Sequence, residues 1–239
     1  MTEFLYLQDH YLKEFDAKIL EILDSKSVVL DRTAIYPKGG GQPSDHGVIS
    51  TIDGTRYTIK DSSKQGEKIV HVILESFPTD IAGEQVHCSV NWPLRYSHMR
   101  YHTALHILSG VVFLKFGARI TGGQIYADRA RLDFSLDDLG RERITTIESE
   151  ANTIVTEDRE VKTYWLTTEE ALRRKDMYKL SADLLPKGLD KLRIVDIVGF
   201  DAQLDGGTHV AKTSEVGKIK ICKTQNKGKD NKRIEIILD

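Results

Sequence analysis

Three features of the 239-residue sequence predict an α+β protein. Short runs rich in β-branched residues, which are typical of strands, occupy about the first ninety positions. A long helical segment begins near residue 92, and helices and strands are then interspersed to the end of the chain. We therefore expect a β-rich domain at residues 1–91 and a second, α+β domain at residues 92–239.

The β-rich domain contains five predicted strands. They lie at residues 27–36, 47–51, 55–60, 68–74 and 84–90. The Asp53-Gly54 pair between the second and third strands has the composition of a two-residue hairpin turn.

The longest predicted helix covers residues 93–116. Asn91 is a suitable N-cap, Pro93 fits the first turn, and Gly117 can end the helix. The apolar stretch 104–118 is too short and too polar to span a membrane. The N-terminus lacks the basic and apolar regions of a signal peptide, so we expect a cytoplasmic protein without membrane association.

Two further helices are predicted in the second domain. One begins at Ser135, in a Ser-x-x-Asp pattern, and continues to about residue 156. The other begins at a capping box formed by Thr167 and Glu170. Strands are expected at residues 124–134, 161–166, 192–198, 216–223 and 233–238.

The composition limits the classes of function. Hydrophobic residues make up 40% of the chain and charged residues 29%, which is typical of a core-forming protein. The net charge is −2, so a nucleic-acid partner must meet a local basic patch. Cys88 and Cys222 are too few for a disulfide scaffold or a four-cysteine zinc site.

His102 and His106 lie four residues apart in the predicted helix. Side chains with this spacing share one helix face, about 5–6 Å apart at Cβ, so two imidazoles can converge on one metal ion. The alternative is a pair of partly buried, hydrogen-bonded histidines. His98 lies about 12 Å along the axis from His106, so an ion can be shared only by the pair 98/102 or the pair 102/106. Thr103 stands where a zincin protease has its catalytic Glu, which argues against a protease.

A second motif, Leu-Asp-Gly-Gly-Thr-His-Val, contains Asp205 and His209. Paired glycines allow a tight turn or a close approach to a ligand, and both flanking side chains are suitable zinc ligands. The alternative is a turn before a strand, in which Asp205 bonds its own backbone.

A third motif runs from Tyr36 to Gly47 and contains the sequence Gly39-Gly40-Gly41-Gln42. It is not a Walker loop, because no Lys-Ser/Thr pair follows the glycines. It is consistent with a mobile connection between strands, or with a backbone that contacts a substrate closely.

Together these motifs resemble the editing part of alanyl-tRNA synthetase and, more closely, its freestanding relatives, the medium-sized AlaX proteins. The segment RYSHMRYHTALHILS at residues 95–109 strengthens the match, as do Asp133-Phe134, Ala151-Asn152 and Trp165-Leu166. The resemblance covers about residues 27–225 in the expected order. It implies a small β-barrel-like, glycine-rich domain followed by an α/β two-layer editing domain with a long zinc-bearing helix.

The resemblance also implies an activity. It is trans-editing, the zinc-dependent hydrolysis of the ester that joins a wrong amino acid to alanine tRNA. Serine is the main such amino acid and glycine a second candidate. One zinc ion per chain is implied, with His102, His106 and His209 as ligands. Asp205 stands where the family usually has a cysteine ligand.

Two roles are open for Asp205. It ligates zinc through oxygen, or three histidines and a water hold the ion and Asp205 orients that water. Cys222 is a remote candidate to replace the missing thiolate.

The remaining candidate residues concern the substrate. Gln42 and the backbone of Gly39, Gly40 and Gly41 are candidates for contact with the aminoacyl end or the developing oxyanion. Thr103 and Thr208 are candidates for a bond to the serine hydroxyl, which would disfavour alanine. For both threonines a hydroxyl bonded to the backbone is an equal alternative.

Positive charge for tRNA is expected in two places. Residues 212–233 contain eight basic side chains against two acidic ones, and the cluster Arg173, Arg174, Lys175 and Lys179 lies near the third helix. We expect a monomer without an obligate protein partner. The competing interpretations are a non-catalytic tRNA-binding module with a structural zinc, and a zinc hydrolase acting on a small ester or peptide.

Overall fold

The computed structural model describes residues 1–174 and 190–239. The chain forms two compact units, Met1–His98 and Met99–Asp239. The α+β class is confirmed, because the described residues contain both helices and several antiparallel sheets.

The first unit contains a closed six-stranded barrel. The strands of this unit are β1 (Glu3–Phe4), β2 (Glu14–Asp24), β3 (Ser27–Leu30), β4 (Arg32–Thr33), β5 (Gly47–Ser50), β6 (Arg56–Gln65), β7 (Lys68–Ile73) and β8 (Gln85–Val90). The barrel has the spatial order β2-β3-β7-β6-β5-β8, and β1 and β4 form a separate short parallel pair. The core consists of side chains that alternate along the strands, as is usual when one face of a sheet is buried.

The barrel is consistent with the expected β-rich, barrel-like N-terminal region and corrects two details of the predicted strands. The predicted strand 27–36 is divided between β3 and β4. The predicted two-residue hairpin turn is longer, because Ser50 pairs with Arg56 and the whole of 51–55 forms the connection. Asp53 accepts bonds from Thr51 and Thr55 within this loop, so its carboxylate organises the wider turn.

The long helix, α1 (Trp92–Phe116), confirms the prediction to within one residue. The Asn91 side chain accepts a bond from the Leu94 N–H at 3.3 Å, as an N-cap does. Gly117 ends the helix with a φ of +66°, a conformation that costs glycine little. Within the described part of the chain, no helix combines the length and apolar character needed to cross a membrane.

The second unit contains two antiparallel sheets among its described residues. Its strands are β9 (Ile120–Ile125), β10 (Ala130–Phe134), β11 (Val161–Thr167), β12 (Lys191–Ile197), β13 (Asp201–Leu204), β14 (Ile219–Gly228) and β15 (Asn231–Leu238). The four-stranded sheet has the order β14-β15-β10-β9, and the three-stranded sheet has the order β11-β12-β13. The helices are α2 (Arg141–Thr156) and α3 (Thr168–Arg173).

Three predictions for this unit have different outcomes. The capping box of Thr167 and Glu170 at α3 is confirmed. The predicted start of α2 at Ser135 is wrong, because the Ser135 hydroxyl accepts from the Arg119 N–H and the helix begins only at Arg141. The predicted strand 124–134 is a hairpin of two strands, β9 and β10.

Candidate metal centre

Four buried or nearly buried side chains converge in the second unit: His102, His106, Asp205 and His209. One ligand atom from each lies within 4.8 Å of every other. His102 and His106 occupy successive turns of α1, with ring centroids 5.2 Å apart. The His209 ring lies 4.3 Å from the His102 ring and 4.6 Å from the His106 ring. This group could hold a metal ion.

Asp205 links the two parts of the group. Its Oδ1 lies 3.3 Å from His102 Nε2, and its Oδ2 lies 3.0 Å from His209 Nε2. Oδ2 also accepts the Gly207 N–H at 2.6 Å. The Asp205 carboxylate therefore fits both interpretations of the Asp-Gly-Gly motif. It bonds the backbone of its own turn, and it also faces two imidazoles.

The electrostatics of the group favour neutral imidazole and ionised carboxylate at His209 and Asp205. Burial alone would raise the pKa of Asp205, but His102 and His209 outweigh it and hold that pKa well below its usual range. Burial, and then the charges of His102 and His106, lower the pKa of His209 well below its usual range. Both directions favour the forms that ligate a metal.

The backbone that carries Asp205 is held by a buried arginine. Arg193 on β12 donates from Nη1 to the Asp205 carbonyl at 3.1 Å and to the Gly207 carbonyl at 2.9 Å. The Asp205 N–H in turn bonds the Arg193 carbonyl at 3.1 Å. Because β13 ends at Leu204, these bonds fix the turn directly after the strand.

Hydrogen bonds from neighbouring residues support two of these histidines, His209 and His106. Thr103 Oγ1 lies 3.1 Å from His209 Nδ1 and accepts the Val210 N–H at 3.2 Å. In the tautomer that leaves the Nε2 lone pair free, Nδ1–H donates to this hydroxyl, which orients the ring. Gln203 Nε2 donates to the His106 carbonyl at 3.3 Å and to Ser109 Oγ at 2.7 Å.

Sequence reasoning missed Arg193 and Gln203. The only available signal was the presence of polar residues in otherwise apolar strand segments, where a buried polar side chain needs partners. Thr103 was identified, but its hydroxyl bonds an imidazole and a backbone N–H in this structure.

Three other candidates lie outside the group. His98 is buried one turn earlier on α1 and belongs to the first unit. Of the two histidine pairs that could share an ion, 98/102 and 102/106, the group of four side chains therefore contains the pair 102/106. Cys222 is exposed on β14 and contributes nothing to the group. Thr208 is fully buried between Gly207 and His209.

The glycine motif forms a tight turn in the first unit. Gly39 and Gln42 exchange both backbone hydrogen bonds, at 3.1 and 2.9 Å. Gly40 and Gly41 between them have φ of +58° and +87°, which only glycine adopts readily. The Gly39 and Gly40 tip is exposed while the Gln42 side chain is 1% exposed. The glycines of the motif therefore form a tight turn closed by two backbone hydrogen bonds.

The comparisons with known proteins agree with this architecture. Residues 4–94 match the family described as tRNA synthetases class II (A). Residues 192–235, which carry Arg193, Asp205 and His209, match the threonyl and alanyl tRNA synthetase second additional domain. The fold and site therefore define a protein related to the aminoacyl-tRNA synthetases.

Relatives covering the whole chain identify the family. The chain is 39% identical to the alanyl-tRNA editing protein AlaX-M of Methanosarcina acetivorans, over 100% of this chain and 99% of the relative. It is 41% identical to the AlaX-M protein of Saccharolobus solfataricus, over 98% of both. It is also 37% identical to the alanine–tRNA ligase of Pyrococcus furiosus, over 94% of this chain but 24% of the ligase. The chain belongs to the AlaX-M family of alanyl-tRNA editing proteins.

Proposed function

We propose that this protein is a trans-editing hydrolase that removes a wrong amino acid from alanine tRNA. Its main substrate is seryl-tRNA of the alanine type, with the glycyl ester as a second substrate. One zinc ion per chain is held by His102, His106, His209 and Asp205. The observation that carries the proposal is the buried convergence of these donors in a member of the editing family.

The donor set fits zinc. Imidazole nitrogen and carboxylate oxygen are both zinc ligands, with bonds of about 2.0–2.2 Å. Donors around a tetrahedral ion then lie about 3.4 Å apart. Asp205 Oδ1 is 3.3 Å from His102 Nε2 and Asp205 Oδ2 is 3.0 Å from His209 Nε2, both close to this value. The four donor atoms together lie within 4.8 Å of one another, so the side chains would close further around the ion.

When bound, zinc supplies Lewis acidity toward an ester carbonyl, or lowers the pKa of a water toward about 7. The residues of this chain provide the setting for that chemistry. The three imidazoles supply neutral donors, and the Asp205 carboxylate neutralises one of the two charges of the ion. Thr103 orients His209, and Arg193 fixes the turn that carries Asp205.

Asp205 is proposed as a direct ligand rather than as a residue that orients a water. Its two oxygens face two different histidines, as a carboxylate at the rim of a metal site does. Asp205→Ala is then expected to lower zinc occupancy. A variant that keeps full zinc but loses hydrolysis would instead assign Asp205 to the water.

The glycine turn, Thr103 and Thr208 are proposed for the substrate. The backbone of Gly39, Gly40 and Gly41, with Gln42, contacts the aminoacyl end or its developing oxyanion. Thr103 and Thr208 are the candidates for a bond to the serine hydroxyl; the Thr103 hydroxyl also accepts the Val210 N–H and faces His209. Alanine would leave that partner unsatisfied, which disfavours the correct ester.

The proposal also assigns the partner, the oligomeric state, the cellular location and the domain bounds. The partner is tRNA, the protein works as a monomer, and it acts in the cytoplasm where aminoacylated tRNA is used. Residues 1–91 form the glycine-motif domain and residues 92–239 the editing domain. Of the basic cluster near α3, Arg173 and Arg174 are exposed, whereas Lys175 and Lys179 lie outside the described residues.

The test is deacylation of seryl-, glycyl- and alanyl-tRNA of the alanine type by wild type and His102→Ala. We expect loss of the seryl ester, sparing of the alanyl ester, and a rate lower by at least about a hundredfold in the variant, equal to about 2.7 kcal/mol. His87→Ala, which changes an exposed histidine on the barrel, is the matched control and should behave as wild type.

The second candidate is a non-catalytic tRNA-binding module with a structural zinc. The four-donor group favours it, because structural zinc sites are closed whereas catalytic sites keep an open position. Full zinc content and tRNA binding without hydrolysis of any ester would establish this alternative.

A further inference from the structure

Three of the eight basic side chains in residues 212–233 are engaged by other groups. Lys212 pairs with Asp158 at 2.7 Å. Lys232 is buried and donates to the carbonyls of Gly228 and Lys229, both at 2.8 Å. Arg233 makes a two-pronged bond to Asp133, with Nε–Oδ1 at 2.6 Å and Nη2–Oδ2 at 2.8 Å. The structure therefore reduces the basic segment to five remaining lysines.

These five lysines are all exposed and lie on or beside a single strand, β14. Among the described residues, none of them has a carboxylate within 4.0 Å of its ammonium group. We call them the β14 lysines: Lys218, Lys220, Lys223, Lys227 and Lys229. Lys220 and Lys227 are seven residues apart, about 23 Å along an extended strand.

The register places part of this charge on the open face of the four-stranded sheet. In the strand register, Lys223 on β14 lies opposite Glu235 on β15. Arg131 on β10 lies opposite the same Glu235 from the other side of β15. Paired residues of antiparallel strands share a face, and so do residues two apart, which adds Lys220 opposite Ile237. The opposite face is buried through Ile234, Ile236 and other apolar side chains.

The acids of the open face do not cancel the lysines. Glu235 lies 3.6 Å from Arg129, and Asp133 is bonded by Arg233 and by Arg131. Each acid therefore already has an arginine partner. Lys227 adds a charge interaction with Asp133 that comes after those of Arg233 and Arg131, and all five β14 lysines are exposed to solvent. The chain as a whole carries a net charge of −2, so this positive strip is local.

We propose that the β14 lysines bind the phosphate backbone of the tRNA substrate. This inference rests on the proposed function, and it assigns the contact to one strand rather than to the basic segment as a whole. Exposed lysines at intervals along a strand present point charges to successive phosphates without reading bases. Such contacts release counterions, so they are revealed by the dependence of affinity on salt.

The alternative is that the lysines only protect the sheet edge. β14 is the outer strand of its sheet, and lysines on edge strands discourage pairing with other chains. In that case their replacement would change aggregation or oligomeric state and leave tRNA affinity unchanged.

The experiment compares two triple variants of the full-length, zinc-loaded protein. In the first, Lys220, Lys223 and Lys227 are each changed to Gln. In the matched control, the ion-paired Lys115, Lys162 and Lys212 are each changed to Gln, which removes the same charge elsewhere in the second unit. Binding of uncharged alanine tRNA is measured at several salt concentrations.

The β14 variant should bind tRNA at least about tenfold more weakly, and the slope of log affinity against log salt should decrease by about 2–3. The control should change affinity by less than about threefold. Zinc content should stay at the wild-type value in both. An unchanged affinity and slope in the β14 variant would overturn the inference, while wild-type deacylation would leave the proposed function standing. Failure of the wild type to bind or deacylate tRNA would reject both.

Discussion

The two units each bury a group of polar side chains, and the two groups are built on opposite principles. In the first unit, Arg95 and Asp45 form an ion pair with both side chains fully buried. Arg95 Nε donates to Asp45 at 2.8 Å, and further donors reach the carbonyls of His10 and Ala34. Positive charge, negative charge and hydrogen-bond donors are all supplied by the protein itself.

The group in the second unit contains bases and a carboxylate. His102, His106, His209 and Asp205 direct their donor atoms at one another within 4.8 Å. Three imidazoles and one carboxylate offer more acceptors than donors when the imidazoles are neutral, so a cation would stabilise the group. The Arg95–Asp45 pair already contains its own cation. The comparison teaches that a buried carboxylate beside a guanidinium forms a structural ion pair, whereas a buried carboxylate beside several imidazoles forms a candidate metal site.

The largest loss of unfolding free energy that tests this comparison is expected from a substitution at Asp45. Asp45→Ala leaves the Arg95 guanidinium buried without its carboxylate, which costs about 3–5 kcal/mol of unfolding free energy. The measurement is denaturant-induced unfolding of the zinc-loaded protein. Asp80→Ala, at an exposed carboxylate of the same unit, should change stability by less than about 0.5 kcal/mol. A cost at Asp45 no larger than at Asp80 would show that the pair is not structural.

A second effect concerns acid sensitivity in the barrel. Burial lowers the pKa of His71 to about 4, and Thr33 Oγ1 lies 2.9 Å from its Nε2. The unfolded chain binds a proton near pH 6.5 that the folded barrel excludes, so stability is complete above that pH and falls as the pH decreases toward 4. The full contribution is about 3 kcal/mol.

This dependence is isolated by comparing wild type with His71→Gln. The difference in unfolding free energy between pH 7 and pH 4.5 should be smaller in the variant, because glutamine does not titrate. Equal losses in both proteins would assign the acid sensitivity to other groups, including the histidines of the second unit.

The smallest expected effect sharpens the account of the metal centre. Thr103→Val removes the hydroxyl beside His209 Nδ1 while keeping the shape of the side chain. Loss of such a support weakens metal affinity by about 10–100-fold. Competition with a chromophoric chelator measures the affinity, and Thr103→Ser, which restores the hydroxyl, should recover most of it. Equal affinities in wild type and the valine variant would remove Thr103 from the site.

The sequence predicted what local chemistry controls. Asn91 and Gly117 define the ends of α1 because they form its cap and its left-handed terminus. The four-residue spacing of His102 and His106 placed both rings on one face because helical geometry leaves no alternative. Family resemblance then joined these residues to Asp205 and His209, which are about 100 positions away in the chain.

Long-range packing decided what the sequence did not reveal. The strand β2 was not predicted, although Phe15, Ala17 and Ile19 alternate with polar residues. Its stability as a strand depends on pairing with β3 and β8, which the local sequence does not reveal. The role of Arg193 depends on the carbonyls of Asp205 and Gly207, and no local pattern encodes that contact. Ser135 was predicted to begin α2 because a serine at a helix N-terminus commonly accepts a hydrogen bond from a backbone N–H of the first turn. In this structure its hydroxyl accepts the backbone N–H of Arg119 instead.

The most direct test of the central claim is the zinc content of purified wild type and His209→Ala, measured by elemental analysis beside seryl-tRNA deacylation. We predict about one zinc per wild-type chain, strongly reduced zinc in the variant, and parallel loss of deacylation. Equal zinc content in both proteins, or deacylation by a zinc-free wild type, would contradict the account.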